Sequence, residues 1–531
     1  MSNLFTKVPV RKQRKTTFPL PHQRKLSCNM KEIIPITLID CVPGDTFDWK
    51  TASMIRLQPM VAPVMHQVSV YQHWYFVPKR LIWDNFEDKI SGGRQGTDDP
   101  AWPVVTLNNT RYDNRVLWDH MGLPDPQGDS ITVSAIPFGA YQFVYNEFYR
   151  DQNLIPEVTY KVSDGDNDSI VGDLDTLRTR SWQHDYFTSC LPSPQKGPEA
   201  TIPLGTSADL NIASGGGLVH DPTVATFINR LDNTTFAADD VTFPASQLSA
   251  GVNRASLRIT GSNATVNVTP NTEIDTANVT VDLSNATAAS INDLRNAFRL
   301  QEWLEVNARS GTRYTEFLYA HFGVKNPDAR LQRPEFIGGN ANPVAFSEVL
   351  QTSGTSQATT PQGNMAGHGI SVGGGRRNRY FVREHGYIIG VQTIMPKTGY
   401  FQGIPRHWRK FDRFDHYFRQ FAHIGEQPVY NWELFVDNDG QNDDVFGYIP
   451  RYAEYKYIPD TVHGDFRTTL DFWHMARKFA TRPNLNAFFL EDLDDTARIF
   501  VSPNDQQYYC HIYFDMRAKR PMPYFGMPKG V

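Results

Sequence analysis

Three acidic residues at alternate positions, Asp164, Asp166 and Asp168 in DGDNDS, are the first candidates for chemistry in this chain of 531 residues. Such spacing begins a calcium loop, where carboxylate oxygens surround a hard cation. The sixth position is Ser169 instead of glycine and the twelfth is not glutamate, so calcium is a weak candidate here. DNDGQNDD at 437–444 has a similar composition and reads as a solvated hairpin tip. The glycine cluster SVGGGRRNR, 371–379, matches no dinucleotide fingerprint and reads as a flexible loop with exposed arginines. His423 and Glu426 in HIGEQ can be drawn as an acid–base pair, and the 10 tryptophans as a sugar platform, but no spacing supports either drawing. H-E-x-x-H and G-x-x-x-x-G-K-[ST] motifs are absent. No catalytic residue, metal or cofactor is expected, and the chain reads as a non-enzyme.

Cations give a stronger signal. GIPRHWRKFDRFDHYFRQF, 403–421, interleaves Arg406, Arg409, Lys410, Arg413 and Arg419 with Trp408, Phe411, Phe414, Tyr417 and Phe418. Positive charge for phosphate and flat rings for bases are what sequence-tolerant single-strand binding uses. Arginine and aromatic residues are equally enriched at subunit interfaces, and the interface is the preferred reading. A second cluster lies in residues 1–31, which carry Lys7, Arg11, Lys12, Arg14, Lys15, Arg24, Lys25 and Lys31 and no acidic residue. The net charge of the whole is −5, so a basic arm is attached to an acidic body. Prolines 9, 19 and 21 keep the arm extended. Arg11, Lys12, Arg14 and Lys15 fit a counter-ion to nucleic acid, or a strap on a neighbouring acidic subunit.

The elements that must position these groups are mostly strands. Length alone suggests about three domains, although large β folds run on as one. The 35 prolines and 37 glycines are spread throughout, which favours short elements joined by turns. Four separated cysteines, with no C-x-x-C pair, read as buried thiols. No apolar run reaches the roughly 18–20 residues that span a bilayer, and no secretory signal core is visible, so the chain is expected to stay in a cytoplasm or leave it by lysis.

VSVYQHWYFVPKRLIWDNFEDKI, 68–90, is the clearest unit. Trp74 and Phe76 lie on one period-2 face, with Tyr71, Tyr75 and Val77 on the other, as a strand buried on both sides requires. Pro78 ends the strand; Ile82, Phe86 and Ile90 then predict one face of a short helix stopped at Gly92 and Gly93. Trp74, Phe76, Pro78, Trp83 and Phe86 are the expected core. PGDTF at 43–47 predicts a tight turn, and 94–135 reads as a long surface loop. Tyr141, Tyr145 and Phe148 have helical spacing. Residues 201–289 contain no lysine and are rich in Ser, Thr, Asn, Ala and Gly, which marks an insertion built from small strands and turns. After it, Ser290 and Asp293 predict a capping box, with Ile291, Leu294 and Phe298 as an apolar stripe. Strands are expected at Tyr387–Ile394, Val429–Phe435 and Gln507–Phe514.

FVPKRLIW, downstream of the PGD turn and an R-x-x-P segment, resembles the corresponding run in major capsid proteins of gokushovirus-type microviruses, small single-stranded DNA bacteriophages. DYFTSCLPSPQKGPE, GTRYTEFLYAHFGVKNPDARLQRPEFIGG, REHGYIIG, YFQGIPRHW, FAHIGEQPVYN, VFGYIPRYAEYKYIPDTVHGDFR and KRPMPYFGMP are similar to further capsid blocks, in order. The resemblance implies an all-β fold, an eight-stranded antiparallel jelly roll with long loops and a few short helices. The expected organisation is an arm at 1–31, a first part of the jelly roll at 32–200, a protrusion at the threefold axes at 201–289 and a second part at 290–531. It implies a T=1 icosahedral shell of sixty copies around a circular single-stranded DNA genome, and a small basic packaging protein, an internal scaffolding protein, a pilot protein and a host surface receptor as partners. The virion is the expected location, with assembly in the host bacterial cytoplasm and no membrane insertion. The alternatives are a jelly-roll glycan-binding protein or glycosidase, and a nucleic-acid-binding enzyme, which the acidic body disfavours.

Overall fold

The computed structural model describes residues 14–108, 116–198, 291–310, 313–325, 327–352, 363–492 and 496–525, and the backbone of 209–212, 241–242, 255–259, 265–268 and 279–282. The chain divides into two compact units, residues 1–198 with 303–531, and residues 199–302. The expected insertion, 201–289, falls within the second, whose strands pair antiparallel as Asp209–Ile212 with Val279–Asp282 and as Ala255–Ile259 with Thr265–Val268 and Val241–Thr242.

Eight strands frame the first unit: β1 His22–Cys28, β2 Ile34–Cys41, β3 Thr46–Leu57, β4 Val68–Pro78, β5 Glu335–Pro343, β6 Met365–Gly374, β7 Gly386–Pro396 and β8 Tyr508–Arg520. Their pairing is nested: β1 with β8, β2 with β7, β3 with β6 and β4 with β5, all antiparallel. Lateral pairs β8–β3 and β7–β4 complete two sheets in the orders β1-β8-β3-β6 and β2-β7-β4-β5. A long hairpin wrapped on itself in this way is a jelly roll. The first sheet is widened by Thr16–Pro19 on β8, Asn378–Phe381 on β3 and Ala345–Leu350 on β6.

Alternation explains which faces meet. Even-numbered β8 residues Ile512, Phe514 and Met516 are buried against Trp74, Phe76 and Ile388 of the second sheet. A polar thread also crosses the sandwich: Thr51 donates to Gln72, Gln72 to Gln392, and Gln392 to the Cys510 sulfur. The second sheet is covered on its other side as well. Helix α1, Ile136–Phe148, packs with Tyr75, Val77, Ile389 and Val391 in one apolar cluster, so every residue of β7 is buried. This is the physical reason β4 is apolar on both faces.

Several expectations change. Ile82 and Phe86 are buried but Ile90 is exposed, because a 3₁₀ turn at Lys79–Leu81 precedes a helix that starts only at Phe86. Gly92 stops it as expected, at φ +78. Residues 94–135 are not simply a surface loop: strands Val104–Asn108 and Ser130–Ser134 form a hairpin, and Leu117 and Trp118 are buried beside it in the α1 cluster. The 371–379 cluster is the end of β6, a tight connection and the start of Asn378–Phe381. Val429–Phe435 is a strand only over Gln427–Tyr430 and then a helical turn, Asn431–Leu434. The late strand runs further than expected, to Arg520. Helix α2, Ile291–Ser310, is present, but Phe298 of its stripe is exposed; Ser290 lies outside the described residues. All four cysteines are buried and unbridged.

Candidate assembly surface and nucleic-acid interface

The β7–β8 connection builds its own apolar cluster from Tyr400, Val429, Leu434, Phe446, Phe479 and Phe489. Residues 403–421 run over it as short 3₁₀ turns, one of them held by the reciprocal caps of Asp412 and Asp415. Short turns cannot hide a long run of rings. Trp408 and Phe411 are 69% and 83% exposed, and Phe414, Tyr417 and Phe418 are also exposed.

The cations between them are mostly committed. Arg406 pairs at 3.1 Å with buried Glu433 and donates to the Pro428 carbonyl. Glu433 also accepts from the Tyr186 hydroxyl at 2.8 Å and the Tyr430 amide. Burial pushes its carboxyl above the ordinary range even against the Arg406 charge. Lys410 pairs with the largely buried Glu454 side chain at 3.1 Å and sits over the Tyr455 ring. Arg409 pairs with Asp443 and lies over Trp432. Arg413 pairs with no carboxylate among the described residues and sits over its neighbour Phe414. A cation already paired gains little by neutralising a phosphate, so this surface is a ridge of bare rings on a base in which Arg406, Arg409 and Lys410 are neutralised. Beside it lies a depression of about 400 Å³ lined by Tyr186, Trp408, Tyr455 and the 89% exposed Ile458.

The other candidates fall elsewhere. Arg14 and Lys15 are exposed, with Lys15 over the Phe381 ring; Arg11 and Lys12 lie outside the described residues. Trp74, Phe76, Trp83 and Phe86 are buried, and Pro78 closes β4 at the corner into the 3₁₀ turn. Asp164 accepts from the Trp83 indole at 2.6 Å and from Asn85, Asp166 from the Asp168 amide, and Asp168 from the Thr106 amide. Among the described residues no group of three or more His, Cys, Asp or Glu is placed to hold a metal ion. Glu426 pairs with Arg309, and Trp49, Trp74, Trp83 and Trp118 are sealed in the core, out of reach of a sugar.

One surface was missed from sequence. β8 alternates buried with exposed residues, and its outward side carries Tyr509, His511, Tyr513, Asp515, Arg517 and Lys519. The visible signal was the period of two in YYCHIYFDMRAK.

Comparison with known proteins bears on the whole chain. The family model described as Capsid protein (F protein) matches residues 6–529. The chain is 33% identical to Capsid protein VP1 of Chlamydia phage 1, over 99% of this chain and 98% of that one. It is equally 33% identical to Capsid protein VP1 of Bdellovibrio phage phiMH2K (99% and 97% covered) and of Spiroplasma virus 4 (96% and 94%). With a jelly-roll frame, an exposed aromatic ridge and matches running from end to end, the chain belongs to the phage capsid protein (F protein) family and is a structural, non-enzymatic capsid protein.

Proposed function

We propose that this capsid protein closes with copies of itself into a T=1 icosahedral shell of sixty subunits around a circular single-stranded DNA genome. The observation that carries the self-assembly is the ridge of Trp408, Phe411, Phe414, Tyr417 and Phe418, exposed on a base whose charges are largely satisfied. Apolar rings with few free charges suit a contact between subunits, where aromatic residues dominate the energy. A closed shell repeats that contact at every symmetry position.

Residues 201–289 form the protrusion at the threefold axes and attach the particle to a host receptor. Their lysine-free, Ser/Thr/Asn-rich composition supports an outward-facing role. A small basic packaging protein, a scaffolding protein and a pilot protein complete the particle, which assembles in the host cytoplasm; these partners rest on the resemblance to microvirus capsid proteins.

Exchange of Trp408 and Phe411 together for serine tests the ridge. Loss of particles in negative-stain images, with a folded soluble subunit left behind, is the expected result. Normal particles would overturn the ridge as an assembly contact. Deletion of 201–289 with adsorption to host cells unchanged would overturn the attachment role.

A further inference from the structure

We infer that the outward face of the first sheet is a platform for single-stranded DNA, an inference that rests on the proposed enclosure of such a genome. The register places its groups in rows. Tyr509 stands between Ser27 on β1 and Arg56 on β3, His511 between Lys25 and Met54, and Tyr513 between Gln23 and Ala52. Further along β8, Asp515 faces Lys50, Arg517 faces Asp48, and Lys519 lies beside Thr46. Tyr509, Tyr513, Lys25, Lys50 and Arg56 are exposed.

Two properties separate this face from the 403–421 ridge. First, its charge is available. Lys25, Lys50 and Arg56 make no ion pair among the described residues, whereas Arg406, Arg409 and Lys410 each hold a carboxylate. The carboxylates that β3 and β8 present here are Asp48 and Asp515, and Asp48 is already engaged by Arg377. Free cations are what phosphates displace counter-ions to reach.

Second, the rings stand on alternate residues of one strand. Alternate residues of a strand are about 6.8 Å apart, twice the about 3.4 Å repeat of bases along a nucleic-acid strand. The Tyr509–His511–Tyr513 row can therefore admit one base between neighbouring rings. A shallow depression of about 530 Å³ lies among Lys25, Met54, Arg56, Tyr509 and His511. The arm also reaches this sheet: Thr16–Pro19 pairs with Arg517–Arg520, which sets Lys15 at its edge. Cations flanking a ladder of rings suit an unpaired polyanion whose bases are free to stack.

The test uses the full-length protein and a fluorescein-labelled oligo-dT, titrated with salt. The pair Lys25→Gln with Arg56→Gln is expected to weaken binding about tenfold and to lower the slope of log K against log salt by about 1.4, at about 0.7 per lost single-strand phosphate contact. The pair Tyr509→Leu with Tyr513→Leu is expected to weaken binding about tenfold or more while leaving that slope unchanged. Far-UV circular dichroism confirms that each variant is folded. Wild-type affinity in both pairs overturns the platform, and so does equal weakening toward a duplex of the same charge in the tyrosine pair, which would remove stacking as the cause. The readout needs no shell. Oligonucleotide binding through this face without particles would overturn the enclosure and leave the platform standing; particles with unaltered binding in both pairs would overturn the platform alone.

Discussion

Trp49 of β3 and Trp74 of β4 meet edge to face at 5.3 Å, closing the gap between the two sheets. Phe514 of β8 meets Trp74 from a second direction at 5.9 Å. Directly beside Trp74 in register stands Gly390 of β7, where an added Cβ would lie 2.5 Å from the indole. The glycine is required by space, since the large ring lies across its backbone.

This packing makes a coupled prediction. Trp74→Ala should cost about 3–5 kcal/mol and Gly390→Ala about 1–3 kcal/mol through overpacking. Combining Gly390→Ala with Trp74→Ala should cost less than the two changes summed, because the smaller side chain frees the space that the Cβ needs. Urea unfolding of the four proteins in the cycle measures the coupling, and strict additivity would contradict it.

Two half-buried histidines predict acid sensitivity. Burial holds His73 and His66 down at about 4, with the Arg180 charge adding to the effect at His73. His73 hydrogen-bonds the Tyr149 hydroxyl at 2.7 Å, and His66 the Lys397 carbonyl at 2.6 Å. Between the ordinary value of 6.5 and about 4, the unfolded chain binds protons that the folded chain refuses. Stability is therefore complete above about pH 6.5 and falls as pH drops toward 4, by on the order of 2–3 kcal/mol per histidine. His73→Gln should flatten that acid limb in urea midpoints measured against pH. A limb as steep as the wild type's would assign the proton uptake to other groups.

The thiols predict silence until unfolding. Cys28 and Cys510 face each other across β1 and β8 with sulfurs 4.0 Å apart. The Cys510 contact and burial push the Cys28 thiol up, and burial pushes Cys41 up to about 12 and raises Cys190. All four thiols are buried away from reagent, and the thiolate is the reactive form, so a disulfide-exchange dye should react with none of them in the native protein and with all of them in guanidinium.

The extent to which this was legible in the sequence depended on distance along the chain. Strand β4 was readable because both of its faces are apolar, and that fact is local. The stop at Gly92 was equally local. The nesting of β1 with β8 joins residues separated by most of the chain, and no local period encodes it. Composition misled at 94–135, where Asp, Asn and Gly surround the few residues, Val105, Leu107, Leu117 and Trp118, that carry the packing. The ridge was visible as rings and cations, but its neutralisation was not, because Glu433, Glu454 and Asp443 sit tens of residues away.

The same distance effect governs the acidic trio at 164–168, which gives the last prediction. Asp164 lies next to Asp166 and Asp168 in sequence, yet its oxygens serve residues about eighty positions earlier, the Trp83 indole at 2.6 Å and the Asn85 amide at 2.9 Å. Trp83 is buried, so Asp164→Ala leaves its N–H without an acceptor, at about 1–3 kcal/mol. Asp164→Asn keeps an acceptor oxygen and should cost less. Asp166→Asn should be close to neutral, since among the described residues that side chain caps only the exposed Asp168 amide. If these carboxylates instead held calcium, Asp166→Asn would match Asp164→Asn, and a chelator would lower the melting temperature of the wild type. The expected result is unequal variants and a melting temperature that the chelator does not move.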